Sequence, residues 1–292
     1  MNIDRRSLMK GMLASGALLA FGIPPWAFAG SSVRRPDRCV LLLGGTGSDD
    51  QFERGARAAC SGMTYEGLQT LKRRDGLLMD PGGMIDLLER SKGSRWIAVM
   101  DDASAAVFQE LVRECEGRLL SIGSHACSGD GARPLRHVWL TTSPAQSVGE
   151  LLASQLMGLQ GSFAITENFF QEPLDGSAPV GWSAPGFTSY RLTGSGAMHL
   201  HCSGLSLSDG CKLLDVGTTE GWSMLPPQVC ERETITWQSD DWVESVGYAV
   251  AASALGVNRV QESCCARAFV HRSRTGECIQ PTQRFVSFVI DL

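Results

Sequence analysis

The densest group of side chains able to do chemistry is Met198-His199-Leu200-His201-Cys202. Two imidazoles and a thiol so close together are donor types that can bind a metal ion. In an extended strand His199 and His201 share one face, so both can reach one ion. Cys211 or Cys230 is available as a further sulfur donor. The same residues also fit a structural role, with Cys202 in a disulfide and the histidines at the surface. The neighbouring Gly194-Ser195-Gly196 lacks the full Gly-x-Ser-x-Gly of a nucleophile elbow, so serine hydrolase chemistry is not indicated.

Three further groups offer binding chemistry. Gly44-Gly45-Thr46-Gly47-Ser48 sits between an apolar run and a helical pattern. There Gly45, Thr46 and Ser48 can present N–H and O–H groups to an anion at a helix start. The loop has no P-loop lysine, and a plain tight turn accounts for it equally. Asp101 and Asp102 follow another apolar run and can accept from a ligand donor, or Asp102 can serve as a helix N-cap. Trp182 and Trp222 can wall a pocket, or act as anchors like Trp237 and Trp242. Cys264 and Cys265 are adjacent, so in a strand they face opposite ways. One can bridge to Cys278 across a turn, and a redox pair is the alternative. No Cys-x-x-Cys supports the redox reading.

The elements that must position these groups follow from periodicity. Cys39-Val40-Leu41-Leu42-Leu43, Trp96 to Met100, Leu119 to Gly123, His137 to Leu140 and Phe163 to Thr166 are short apolar runs bounded by turn residues, as are strands buried on both faces. Met63 to Leu71 is expected as a further strand. Helical spacing separates them at Phe52, Gly55, Ala56 and Ala59, after Pro81, from Ala105 to Glu116, and after Ser143-Pro144. The alternation predicts an α/β fold with a doubly wound parallel sheet over residues 39–170. Ligands of such sheets bind beyond the strand ends. That position is held by the glycine loop, Asp101-Asp102, Ser124-His125 and Glu167-Asn168.

This order of elements resembles the first lobe of type I periplasmic solute-binding proteins. The likeness spans residues 39–166 and rests on Phe52 and Gly55 in the first helix, Asp101 at a strand end, and Gly149 at a helix start. It implies a hinge and a second lobe closing on a small ligand.

Residues 171–292 read differently, as an irregular α+β half rich in Cys and Trp. A Pro- and Gly-rich excursion comes first. Met198–Cys202 and Lys212–Val216 are possible strands, and Asp240-Asp241 caps a helix from Trp242 to Leu255. In the tail, Ala266, Ala268 and Val270 alternate with Arg267, Phe269 and His271. With Arg284 to Ile290 this predicts a closing β-hairpin.

Residues 1–29 carry an address. Arg5-Arg6-Ser7-Leu8-Met9-Lys10, a short apolar run broken by Gly11, Gly16 and Gly22, and Ala27-Phe28-Ala29 resemble a twin-arginine (Tat) signal peptide. Asp4 departs from the Ser or Thr usual there. An ordinary secretory signal or an uncleaved anchor is the alternative. The resemblance implies passage through the Tat translocase, a flexible mature start at 30–38, and a soluble periplasmic protein. All ten cysteines lie after this leader, which favours disulfides in an exported chain. The net charge of −5, with no basic stripe beyond the leader, points away from nucleic acid. No later run is long enough to span a membrane.

These observations lead to a periplasmic protein that binds or senses a small molecule in a cleft between its halves. Two alternatives stand beside it. One is a metal- or thiol-dependent enzyme or maturation accessory using His199, His201 and Cys202. The other is a non-catalytic partner of a Tat-exported enzyme. No cofactor is specified by any motif.

Overall fold

The computed structural model describes residues 36–73, 79–128, 134–159, 161–170, 184–192, 198–216, 219–226, 237–256, 264–273 and 282–292. The leader, Trp182, Cys230 and Cys278 lie outside the described residues. In order, the strands are β1 (Cys39–Leu43), β2 (Leu68–Lys72), β3 (Arg95–Met100), β4 (Arg118–Cys127), β5 (Leu135–Thr141), β6 (Phe163–Phe169), β7 (Thr188–Leu192), β8 (Met198–Ser203), β9 (Trp222–Met224), β10 (Ala266–His271) and β11 (Gln283–Asp291). The helices are α1 (Asp49–Gly62), α2 (Pro81–Arg90), α3 (Asp102–Glu114), α4 (Gly149–Leu156), α5 (Leu207–Leu213) and α6 (Trp242–Ala254).

All eleven strands form one sheet in the order β2-β1-β3-β11-β4-β5-β6-β10-β8-β7-β9. The α/β class holds, but the sheet is mixed. β1 runs parallel to β2 and β3, β5 to β6, and β8 to β10, while β11 is antiparallel to both β3 and β4. The tail therefore forms no hairpin, because β10 lies between β6 and β8 and β11 lies between β3 and β4. The physical reason is in the run Phe285 to Ile290. Phe285 and Val289 pack on one face and Val286, Phe288 and Ile290 on the other. A strand apolar on both sides gains most between two buried strands and little at an edge. One continuous sheet thus joins segments from both halves of the chain.

Two further expectations shift. The strand expected over Met63 to Leu71 starts only at Leu68. Before it, the N–H groups of Met63, Thr64 and Tyr65 bond back to the carbonyls of Ala59, Ser61 and Cys60, and Thr64 turns the chain with φ 50°. The strand expected at Lys212–Val216 is the end of α5. Ser206 caps that helix by accepting from the Asp209 N–H and donating to its carboxylate.

The helices cover both faces. α1, α4 and α6 share one core with Leu41, Ile97, Trp139, Ile165 and Phe269 of the sheet. α2 and α3 cover the opposite face near β1 and β3, and α5 covers it near β8 and β10. α6 is buried almost all round, as an interior helix should be. Asp241 caps it, accepting from the N–H groups of Val243 and Glu244 at 2.7 and 3.1 Å. α1 and α6 touch backbone to backbone. A Cβ on Gly55 would lie 1.9 Å from the Glu244 carbonyl oxygen, and one on Gly247 would lie 2.3 Å from that of Phe52. No described helix is long and apolar enough to cross a membrane.

Candidate functional site

A core face of a sheet should be apolar, yet the α6 face of this one carries a polar stripe. Strand alternation puts every second residue on that face. In one row across the sheet, Trp139 of β5 stands opposite Glu167 of β6, Glu167 opposite Arg267 of β10, Arg267 opposite His199 of β8, and His199 opposite Arg191 of β7. In the next row His125 of β4 stands opposite His137 of β5, and His201 of β8 opposite Ser189 of β7. Glu167, Arg267, His199, His201, His125 and His137 are all fully buried.

Each charged group has a defined setting. Glu167 accepts from the Ser147 hydroxyl at 2.6 Å and from the Val148 and Gly149 N–H groups at 2.7 and 2.8 Å, so the start of α4 holds its carboxylate. Gly149 is required there, since a Cβ would lie 2.7 Å from the Glu167 carboxyl carbon. The Arg267 guanidinium stands 5.7 Å from the Phe169 ring centre and donates to the Cys264 sulfur at 3.7 Å. His201 stacks on Phe269 at 4.5 Å, and its Nδ1 is 2.8 Å from the Ser189 hydroxyl. Burial holds His201 well below the usual imidazole range, with Arg267 and then His199 contributing in the same direction.

On β4, β5 and β11 a second arrangement looks catalytic at first. The Ser287 hydroxyl is 2.8 Å from His125 Nε2, and His125 Nδ1 is 3.1 Å from His137 Nδ1. That is the spacing of a nucleophile, a base and an orienting group. Burial, however, lowers His137 to about 3 and puts His125 well below its ordinary value, with His137 contributing to the latter. Bases this weak cannot activate a serine near neutral pH. Trp139, Trp242 and Phe285 pack around both rings. The line Ser287–His125–His137 is therefore a neutral hydrogen-bonded relay in the core.

Three inward residues of β5 stand out beside it. His137 Nε2, Trp139 Nε1 and Thr141 Oγ1 are buried and make no hydrogen bond among the described residues. Successive inward positions on a strand lie ~7 Å apart, so the three atoms belong to one side of one strand.

The residues singled out from the sequence fall in separate places. His199 and His201 share the α6 face as expected, but Cys202 points to the opposite face and packs in the core under α5. There burial pushes its thiol up to about 12, with Cys211 contributing. Among the described residues no group of three or more His, Cys, Asp or Glu could hold a metal ion. Gly45, Thr46 and Ser48 surround a carboxylate of the chain itself. Asp49 accepts from the Gly45 and Thr46 N–H groups at 2.8 and 3.1 Å and from the Thr46 hydroxyl at 2.5 Å. The Ser48 N–H donates to the Thr46 hydroxyl at 3.2 Å. The anion position of this loop is thus taken by Asp49. Asp101, rather than Asp102, caps α3, accepting from Ala103 and Ser104. Burial would raise the Asp101 carboxyl, and the bonds from Ser104 and Ala103 outweigh this and hold it low. Asp102 pairs with Arg284 at 2.8 Å. Trp222 lies on β9, at the opposite end of the sheet from β1 and β3, and packs on the α5 side.

No disulfide joins the described cysteines. The expected bridge from Cys264 or Cys265 to Cys278 involves a residue outside the described ones. Cys264 sits in the core beside Arg267.

His137, Arg267 and Arg191 were not named as site residues from the sequence, and His125 and Glu167 were noted there only as strand-end positions. The available signal was an ionic or imidazole side chain within an otherwise apolar strand, as in Phe163-Ala164-Ile165-Thr166-Glu167 and Ala266-Arg267-Ala268-Phe269. Such a residue is costly to bury without a purpose. Comparison with known protein families, with curated proteins and with solved structures returns no match.

Proposed function

We propose that this protein is exported by the Tat route to the periplasm and there binds a small molecule along the polar stripe of the α6 face. The site proposed here lies on one sheet that takes strands from both halves of the chain. It is the floor formed by β5, β6, β10, β8 and β7.

One observation carries the reading. His137 Nε2, Trp139 Nε1 and Thr141 Oγ1 are buried on one face of β5 with no hydrogen bond among the described residues. Each such atom costs about 1–3 kcal/mol, and a domain's whole stability is only about 5–15 kcal/mol. Three of them on one strand are a large fraction of that margin. A bound molecule with matching polar groups removes the cost. Binding is favoured over catalysis because burial makes the Ser287–His125–His137 line too weakly basic and likewise holds His201, beside Ser189, well below the usual imidazole range.

The test is mass spectrometry of the mature protein purified from its own periplasm, first under native conditions and then after denaturation. A stoichiometric organic molecule released on unfolding supports the reading. If nothing but water is released, the three atoms are hydrated and the binding reading fails. The mature N-terminal residue found in the same spectra tests cleavage after Ala29.

A further inference from the structure

Resting on that reading, we infer that the bound molecule is uncharged and is held at β5 through oxygen acceptors of the carbonyl type, with Trp139 Nε1–H and His137 Nε2–H as the donors. His137, Trp139 and Thr141 stand opposite His125, Gly123 and Ser121 of β4. A Cβ on Gly123 would lie 2.4 Å from Trp139 Nε1. The indole N–H therefore stands over β4, on the side away from Glu167 of β6. Successive inward positions on a strand are ~7 Å apart, so one small molecule can meet both N–H groups.

Two separate constraints demand an acceptor. The indole N–H of Trp139 can only donate. For His137 the demand comes through the relay. Burial keeps both imidazoles neutral near pH 7, so each ring carries one proton. In one proton order Ser287 donates to His125 Nε2, His125 Nδ1–H donates to His137 Nδ1, and His137 carries its proton on Nε2. In the reverse order His125 Nε2–H donates to Ser287, and the serine proton then has no acceptor among the described residues. With a ligand bound, only the first order gives every buried proton a partner, and it requires an acceptor at His137 Nε2. The Thr141 hydroxyl can donate or accept and suits either end of the molecule. Charge is excluded by the surroundings. None of the six residues on β4 and β5 is ionised, and the next group along the Trp139 row is the Glu167 carboxylate. An anion there would face Glu167, and a cation would face N–H donors, each without a counter-charge.

The experiment is nitrogen-15 NMR on the full mature protein, freed of any retained molecule and titrated with three probes. N,N-dimethylacetamide is an uncharged acceptor with no donor, acetate is a charged acceptor, and pyrrole is a donor only. Dimethylacetamide alone should shift the Trp139 indole N–H saturably, with His137 protonated on Nε2 in the complex. Thr141→Val keeps the shape of the side chain and removes its hydroxyl. It should raise the thermal midpoint of the ligand-free protein, because a buried unmet group is gone, and weaken dimethylacetamide binding roughly tenfold. A role in packing alone would not move these two readings in opposite senses. A bare Nε2 on His137 in the complex, saturable binding of acetate or pyrrole, no saturable response to dimethylacetamide, or an unchanged affinity in Thr141→Val overturns the inference. Release of a charged molecule, or of one with no oxygen acceptor, in the extraction test would overturn it while leaving the binding reading intact. No released molecule and no response to any probe would overturn both.

Discussion

Acid should destabilise this protein through His137, and the size of the effect can be worked out. Its imidazole is buried, and burial lowers its folded-state pKa from 6.5 to about 3. The unfolded chain therefore takes up a proton at a pH where the folded chain still refuses it. Stability from this group is fully present above about pH 6.5 and is lost progressively as pH falls toward 3. Between pH 7 and pH 5 the loss is about 2 kcal/mol, at about 1.4 kcal/mol for each pH unit below 6.5. His125 acts in the same direction, since burial and His137 also hold it low. The perturbation is His137→Gln, which keeps an amide near His125 but cannot titrate. It should cost about 1–2 kcal/mol at pH 7 through weaker hydrogen bonding. Between pH 7 and pH 5, however, the variant should lose about 2 kcal/mol less than the parent. Urea unfolding curves at pH 7, 6 and 5 measure this directly. Parallel stability–pH lines for the two proteins would refute the reasoning, because they would mean that His137 is charged or solvated in the folded state.

Other consequences are equally concrete. Gly55→Ala forces a methyl against the Glu244 carbonyl and should cost about 3 kcal/mol in denaturant unfolding. The control Gly62→Ala, which meets nothing within 4 Å, should stay within about 1 kcal/mol of the parent. Glu167→Gln replaces the carboxylate that holds the start of α4 and should destabilise by about 3 kcal/mol, read as a lowered urea midpoint. Burial pushes the Cys39 and Cys202 thiols up to about 12. In the native state they should alkylate about a thousandfold more slowly than a thiol of ordinary pKa. The half-exposed Cys127 and Cys265 should label before them, and peptide mapping after timed alkylation checks the order.

Local features were the most legible from the sequence. The apolar runs at Cys39, Trp96 and Phe163 become strands, and Asp241 caps the helix that begins at Trp242. The face shared by His199 and His201 also follows from strand periodicity alone. The candidate site was less legible. Residues chosen because they stand at strand ends, Asp101 and the Gly45 loop, turn out to be consumed by capping α3 and by Asp49. Local hydrogen bonds of that kind compete with a ligand for the same groups, and the linear pattern does not show which prevails.

The sequence by itself determined the period of most segments, the Asp241 cap of α6, and the placement of Arg267, Glu167 and His199 within apolar runs. Those properties depend on neighbours a few residues away. Only the tertiary structure decided which strand lies beside which. The insertion of β11 between β3 and β4, and the alignment of Glu167, Arg267, His199 and Arg191 in one row, join residues far apart in the chain. Such pairings are set by how buried faces fit together across the whole sheet, and a one-residue change of register would turn each side chain to the other face.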